Sequence, residues 1–500
     1  MNKEFCELKE RLGEIHDLNS SIAVLDWDQQ VNMPAAGAEG RANQLSLLSR
    51  LSHEKFVDGR VGDLLGSLQV FIDELDPESD ESCLINVTRR EYDRKVKVPS
   101  SFVAEFARTA SNAHVEWEKA KSDSNFSLFR PWLEKIFDLR REYAGFFAPY
   151  DHIYDPLLDE FEPGLKTAEV KEIFEKLRPA QVELIKEIGR CPEIDDSFLH
   201  QTLDPQKQWE LGVEASALIG FDWSRGRQDK SVHPFTTTFD LNDVRITTRI
   251  MPDNFASGFF STMHESGHAM YEQGISPSLR NTLLCSGASL GIHESQSRLW
   301  ENLVGRSFDF WVFFYPRLRS KFPGCFDNVS LKDFYRGINR VKRSLIRTES
   351  DEATYNLHIM LRLEIEIAVL EGKAAVRDLP EIWNTRMEEY LGVVPDTDAQ
   401  GILQDVHWAG GAVGYFPTYA LGNMISAQIW ECVSRDIPDI SDKIRQGSFS
   451  ELHGWLAQKI YRHGAKFEPQ TLVKKVTGSK IDPDAYIRYL NRKYKEIYSL

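Results

Sequence analysis

Seven apolar residues, Phe5, Leu8, Leu12, Ile15, Leu18, Ile22 and Leu25, recur at spacings of three and four near the start of the chain. Only an α-helix gathers such a series onto one face, so the pattern predicts a long first helix with a single apolar stripe. The far end repeats the signal. Asp482-Pro483 reads as a cap followed by proline at the first helical position, and Ile487, Leu490, Tyr494 and Ile497 mark the buried face of a last helix. Similar segments fill the space between, separated by short loops such as "DPLLDEFEPG". Length alone would allow two to four domains, yet the chain shows no Gly/Ser linker, low-complexity tract or repeat of fixed period. The expectation is a mostly α fold, one continuous helical body over 1–500, with its functional core at about 230–420.

Two stretches test that reading. "SVHPFTTTFDLNDVRITTRI" (231–250) is rich in Thr, Val, Ile and Phe around a turn signal and predicts a β-hairpin. "LRLEIEIAV" (361–369) alternates like a strand. The surrounding run from about Glu349 to Glu371 nevertheless lacks Gly and Pro and stops at Gly372, and its length predicts a helix partly buried on both sides.

Charge and composition exclude several partners. The net charge is −16, leaving no basic surplus to displace counterions from a nucleic-acid backbone. The longest fully apolar run, "FWVFFY" at 310–315, is far too short for a bilayer. "MNKEFCELKERLGEI" has no apolar core of a secretory signal, and the six scattered cysteines contain no C-x-x-C pair. A soluble cytoplasmic protein with free thiols is expected, with neither nucleic acid nor membrane as partner.

The chemistry concentrates in "FFSTMHESGHAMYEQG" (259–274). Asp253 and Asn254 precede the stretch as candidate caps, and Gly274 follows as a candidate stop. On a helix His264 and His268 lie one above the other and aim their rings at one point. Glu265 is rotated about 100° away, too far to share the ion easily and well placed to act as a general base. This is the H-E-x-x-H arrangement, in which two imidazoles hold Zn²⁺. "SHEKFV" near the start is a useful contrast, because His53-Glu54 is followed by Val57 where a second histidine would stand. A catalytic zinc takes three protein ligands. The third must come from a later segment, and "GIHESQSRLWENL" offers His293, Glu294 and Glu301. Spacing alone does not separate His293 from Glu294.

Several further segments, in order along the chain, resemble the carboxypeptidase Taq family of metallocarboxypeptidases. They are "LDWDQQVNMPAAG", "HPF" at 233–235, "DVRITT", "HESGH", "HESQSRLWEN", "IRTESDEATYNLHI" and "GILQDVHWAGGAVGYFPTYALG". The resemblance implies Glu294 as third ligand, a helical saddle with a deep groove, a small sheet beside the metal and a homodimer. It implies a carboxypeptidase that removes single residues from peptides with a free C-terminus, with Glu265 as general base. It also points to His407, Tyr415 and Tyr419 as donors to the oxyanion. Arg245 and Arg347 are implied as readers of the substrate's terminal carboxylate; His233 is a candidate substrate contact or support of the metal shell, with a buried structural histidine as the alternative. Departures from the family pattern at Gln30, Val31 and Ser350 do not touch the metal residues. Co²⁺ or Mn²⁺ would suit a His-His-Glu donor set as well as Zn²⁺. An endo-acting zincin oligopeptidase is the alternative.

Overall fold

The side chain of Asn2 accepts from the backbone N–H of Glu4 and of Phe5, and this cap starts a helix over Lys3–Val31. A second helix, Ala38–Phe56, folds back along it. Contacts of Arg41 with Asp28, Ser52 with Asn19 and Lys55 with Glu14 set the two antiparallel. The computed structural model describes residues 2–500. Phe5, Leu8, Leu12 and Ile15 enter a small apolar core. That core is completed by Leu241, Ile275, Leu279 and Leu284 of the main body, so the hairpin is anchored there. Leu18, Ile22 and Leu25 are only half-buried. The apolar stripe therefore runs past the point where the body can cover it, and Leu47 and Leu51 on the partner helix are exposed.

The expected hairpin is present as β2 of a three-stranded sheet paired with β3. The strands are β1 (Gly226–Lys230), β2 (Thr236–Asp240) and β3 (Asp243–Thr248), in the order β1-β3-β2. β2 and β3 are antiparallel, with Thr236 opposite Ile246 and Thr237 opposite Arg245. β1 joins β3 in parallel and lay outside the sequence reading. "GRQDK" has no strand composition, and its charge is handled locally by a two-pronged Arg227–Asp229 contact. Residues opposite one another share a face of the sheet. Thr236 and Ile246 therefore face the helix Phe255–Gln273, while Thr237 and Arg245 face Trp27 of the first helix.

The alternating stretch is helical, within Glu352–Leu370, and nearly every residue of that helix is buried. Burial all round removes the need for a polar stripe and explains why its sequence mimics a strand. The last helix spans Asp484–Tyr498, with Pro483 at the cap position and the Asp482 carboxylate accepting from Asp484 N–H at 2.9 Å. Trp300, Trp311 and Trp383 are fully buried within the large core that these elements enclose.

Candidate metal centre

Asn254 caps the helix Phe255–Gln273, which carries the H-E-x-x-H segment. This helix meets the helix Leu290–Arg298 at Gly267, where a Cβ would stand 2.6 Å from the Ser297 Cα. A third helix, Pro417–Asp436, presses on the same place at Gly422, where a Cβ would stand 2.6 Å from the Glu294 Cβ. Two missing methyl groups thus let three helices close around one carboxylate. Past Arg298 the helix widens into a π-turn, Leu299–Gly305, which brings Glu301 back toward the first histidine.

The result is a compact donor set. One ligand atom each from His264, His268 and Glu294 lies within 4.8 Å of the others. Glu294 Oε2 is 3.5 Å from His264 Nε2 and 3.4 Å from His268 Nε2. The other ring nitrogens are already engaged. His264 Nδ1 is 2.9 Å from Glu301 Oε2. His268 Nδ1 meets His293 Nδ1 at 2.5 Å, and His293 Nε2 meets Glu272 Oε1 at 2.7 Å. The Glu272 carboxylate can only accept, so His293 donates from Nε2 and accepts at Nδ1. His268 must then carry its proton on Nδ1, leaving Nε2 with a free lone pair, as a metal ligand requires. Burial lowers the His268 pKa to about 3 and keeps the ring neutral. His264 behaves differently in the absence of an ion: burial opposes its charge, but Glu294 and Glu301 prevail and raise its pKa. Glu294 stays ionised against its burial because Arg298, His264 and His268 surround it, and Arg298 Nε donates to Oε1 at 2.7 Å. Of the two residues that spacing could not separate, Glu294 joins the two histidines in the donor set, whereas His293 lies behind His268. Two imidazole nitrogens and one carboxylate oxygen fit a divalent metal ion.

Glu265 is buried beside this set, and its Oε2 accepts from Thr236 Oγ1 at 2.6 Å. Burial raises its pKa, opposed by His264 and Thr236. Next to the donor set lies an aromatic and arginine cluster. The Arg298 guanidinium stacks 4.7 Å from the Tyr355 ring centre, and the Tyr355 hydroxyl accepts from Arg347 Nη1 at 2.8 Å. The Tyr419 ring lies 5.0 Å from the Arg347 guanidinium. His407 Nε2 is 3.2 Å from the Tyr419 hydroxyl, and the Tyr415 and Tyr419 rings are 5.3 Å apart. Burial holds the His407 pKa down at about 4, so the ring is neutral. Arg347, His407, Tyr415 and Tyr419 are therefore brought together.

Arg245 and His233 are not part of that group. Arg245 forks onto Asp243 at 2.8 Å through both Nε and Nη2, with Trp27 and Phe239 against its plane. The pleat of β3 sends it to the sheet face away from Glu265. His233 is exposed in the connection before β2. Sequence reasoning missed Thr236, Glu272, Arg298, Tyr355 and Asp405. Arg298 had a usable signal, since it stands four residues after Glu294 on the same helix face.

A buried carboxyl anchors the start of the helix that carries Glu294. Glu162 accepts from Gly291 N–H and from Ser289, and burial raises its pKa to about 8. A carboxyl whose folded pKa lies above its ordinary value of 4.5 favours folding at low pH. That contribution fades as pH rises from the ordinary value toward 8. Urea unfolding of the metal-free protein should show it as a fall of at most about 1.4 kcal/mol per pH unit across that window. Glu162→Gln should flatten that part of the profile.

The chain matches known proteins along nearly its whole length. A family model described as carboxypeptidase Taq (M32) metallopeptidase matches residues 7–494. Carboxypeptidase 1 of Bacillus subtilis is 38% identical over 501 residues, covering 100% of this chain and 99% of that one. Thermostable carboxypeptidase 1 of Thermus thermophilus is 39% identical, covering 96% of each chain. The crystal structure of an M32 carboxypeptidase from Deinococcus radiodurans superposes with a TM-score of 0.97 at 38% identity, covering 100% of both chains.

Proposed function

The chain belongs to the carboxypeptidase Taq (M32) metallopeptidase family and is a metal-dependent carboxypeptidase, and on that premise we propose how its residues divide the work. The endo-acting alternative is set aside, because the similarity runs to carboxypeptidases along the whole chain. The observation that carries the assignment of roles is the meeting of three ligand atoms with a separate buried carboxylate, Glu265.

His264, His268 and Glu294 hold the ion, and the nitrogen-rich donor set favours zinc, with cobalt or manganese as substitutes. When bound, the ion supplies Lewis acidity toward the scissile carbonyl and makes a water molecule easier to deprotonate. Glu265 takes the proton from the attacking water and later delivers it to the leaving amine nitrogen. Thr236 donates to Oε2, which fixes the carboxylate and leaves Oε1 as the proton-carrying atom. Tyr415, Tyr419 and neutral His407 supply hydrogen-bond donors as charge develops on the carbonyl oxygen. β2 is an edge strand on the Glu265 side of the sheet, so an extended peptide can pair with it. The exposure of His233 just ahead of that edge supports a contact with the peptide.

Arg347 reads the terminal carboxylate. Three of its five N–H donors are spent inside the protein, on Nε and Nη2 to Asp405 and on Nη1 to Tyr355. One donor on each terminal nitrogen remains, enough for a two-pronged contact. Arg245 is not assigned this role, because it lies on the wrong face of the sheet. Matched peptides with a free or an amidated C-terminus test the assignment. The wild type should prefer the free acid. Arg347→Gln should raise the KM for the acid by about 30-fold or more and bring the two substrates to similar rates. A variant that still prefers the acid would remove Arg347 from the site.

Exposed Leu47 and Leu51 on the N-terminal hairpin support a homodimer. Free thiols at all six cysteines support a cytoplasmic location, and no described helix is long and apolar enough to cross a membrane. The sharing of its small core with the main body supports treating residues 1–500 as one domain.

A further inference from the structure

The cluster behind Arg347 holds two guanidinium groups and one carboxylate. Asp405 Oδ1 accepts from Arg347 Nε at 3.1 Å and Nη2 at 2.8 Å. Asp405 Oδ2 accepts from Arg362 Nε at 2.7 Å, with Arg362 Nη2 at 2.5 Å. Gln404 Oε1 joins the two arginines, accepting from Arg347 N–H and from Arg362 Nη2, each at 2.9 Å. Arg362 is fully buried. Its Nη1 donates to the His358 carbonyl, and its plane lies against Trp383 and Phe416, so it has no freedom to leave. Burial keeps both nearby imidazoles, His358 and His407, neutral. Burial also lowers the Arg362 pKa, but the adjacent Asp405 carboxylate opposes that, and a guanidinium starts from so high a value that it keeps its charge. Arg298, across Tyr355, is matched by its own partners Glu294 and Glu301. The group of Arg347, Arg362 and Asp405 therefore carries a net charge of +1 in a buried place.

A surplus buried charge is costly to the protein alone, since nothing inside repays its desolvation. It has a use if an anion arrives. Paired with Arg347 only, Asp405 would close a neutral couple and repel a second carboxylate. With Arg362 behind it, the charge of Asp405 is met from the far side, and Arg347 keeps its attraction for an incoming anion. We infer that Arg362 is a positioning residue that sets the preference for a free C-terminus: by engaging the second oxygen of Asp405, it leaves Arg347 one negative charge short, and the substrate's terminal carboxylate supplies that charge. The inference rests on the reading of Arg347 given above.

The test is steady-state kinetics on a matched peptide acid and peptide amide, with five proteins: wild type, Arg347→Gln, Arg362→Gln, Arg362→Lys, and the double variant Arg362→Gln/Asp405→Asn. Arg362→Gln should raise the KM for the acid by about 10-fold or more, change kcat little, and lower the acid-to-amide ratio of kcat/KM. Arg362→Lys keeps the charge and should keep most of the ratio. The double variant removes one positive and one negative charge, restores the net +1, and should regain much of the ratio lost in Arg362→Gln. A purely structural role would reduce kcat on both substrates and would not be rescued by a second substitution. An unchanged ratio in Arg362→Gln overturns the inference, as does a double variant that regains nothing. If Arg362→Gln does not fold, the double variant carries the test alone: it lacks the unpaired carboxylate, and absence of acid preference in it overturns the inference. Failure of the underlying reading looks different. Arg347→Gln retaining the preference removes Arg347 itself, whereas its loss there with retention in Arg362→Gln removes only Arg362.

Discussion

The Glu265→Gln variant is expected to bind one divalent ion as the wild type does and to hydrolyse peptides about 10²- to 10⁴-fold more slowly. The substitution conserves volume at a buried position, so the helix Phe255–Gln273 keeps its packing. It leaves His264, His268 and Glu294 untouched. What it removes is the proposed proton acceptor. A carboxylate whose pKa is raised by burial is a better base than an exposed one, and an amide nitrogen or oxygen takes no proton near neutral pH. Metal content by elemental analysis, measured beside kcat, separates the two functions. A variant that is metal-loaded and within tenfold of wild-type kcat would show that another group takes the proton. Thr236 bears on the same result. Its one hydroxyl proton goes to the carboxylate Oε2 at 2.6 Å, and the same oxygen lies 3.0 Å from the Glu265 carbonyl, which places the side chain beside its own backbone.

The difference between what was legible in the sequence and what was not follows the range of the interactions. The H-E-x-x-H helix, the hairpin at β2 and β3 and the helix through 361–369 are local patterns, written in caps, turns and periodicity over a few residues. The groups that tune the site come from far apart. Glu301 reaches His264 across 37 residues, Glu272 reaches His293 across 21, and Asp405 reaches Arg347 across 58. Nothing in local periodicity announces such partners. His293 shows the consequence. It stands one residue before Glu294 and has a better metal donor than most side chains, and only the arrival of Glu272 and His268 on its two nitrogens assigns it a supporting place. Arg245 shows the reverse case. The hairpin that carries it was legible, but its side-chain direction depends on the pairing register, and one residue of register decides which face of the sheet it joins. The π-turn at Leu299–Gly305 had no sequence signal either, although it is what returns Glu301 to His264.

Replacing Glu294, the proposed third ligand, should have two effects that are measured separately. Glu294→Gln is expected to weaken metal binding by more than about 100-fold, because loss of a direct ligand exceeds the 10- to 100-fold typical of a lost supporting contact. Competition with a chelator of known affinity reads this. The second effect belongs to the metal-free protein. Glu294 is buried and Arg298 largely so, its side chain 15% exposed, with Arg298 Nε on Glu294 Oε1 at 2.7 Å. Removing the carboxylate charge leaves Arg298 with Glu301 alone, whose Oε2 is 3.1 Å from Nη1. Breaking a buried pair in this way costs about 3–5 kcal/mol, and the Glu301 contact places the variant at the lower end. The pH dependence identifies the source. Because Arg298 and the two histidines hold the Glu294 pKa well below its ordinary value, the pair stabilises the fold above that ordinary value and loses its contribution as pH falls through the lowered one. The gap in unfolding free energy between wild type and Glu294→Gln, both stripped of metal, should therefore be widest at neutral pH and shrink in acid. A gap that stays constant with pH would trace the instability to altered packing against Gly422 instead of to the missing charge.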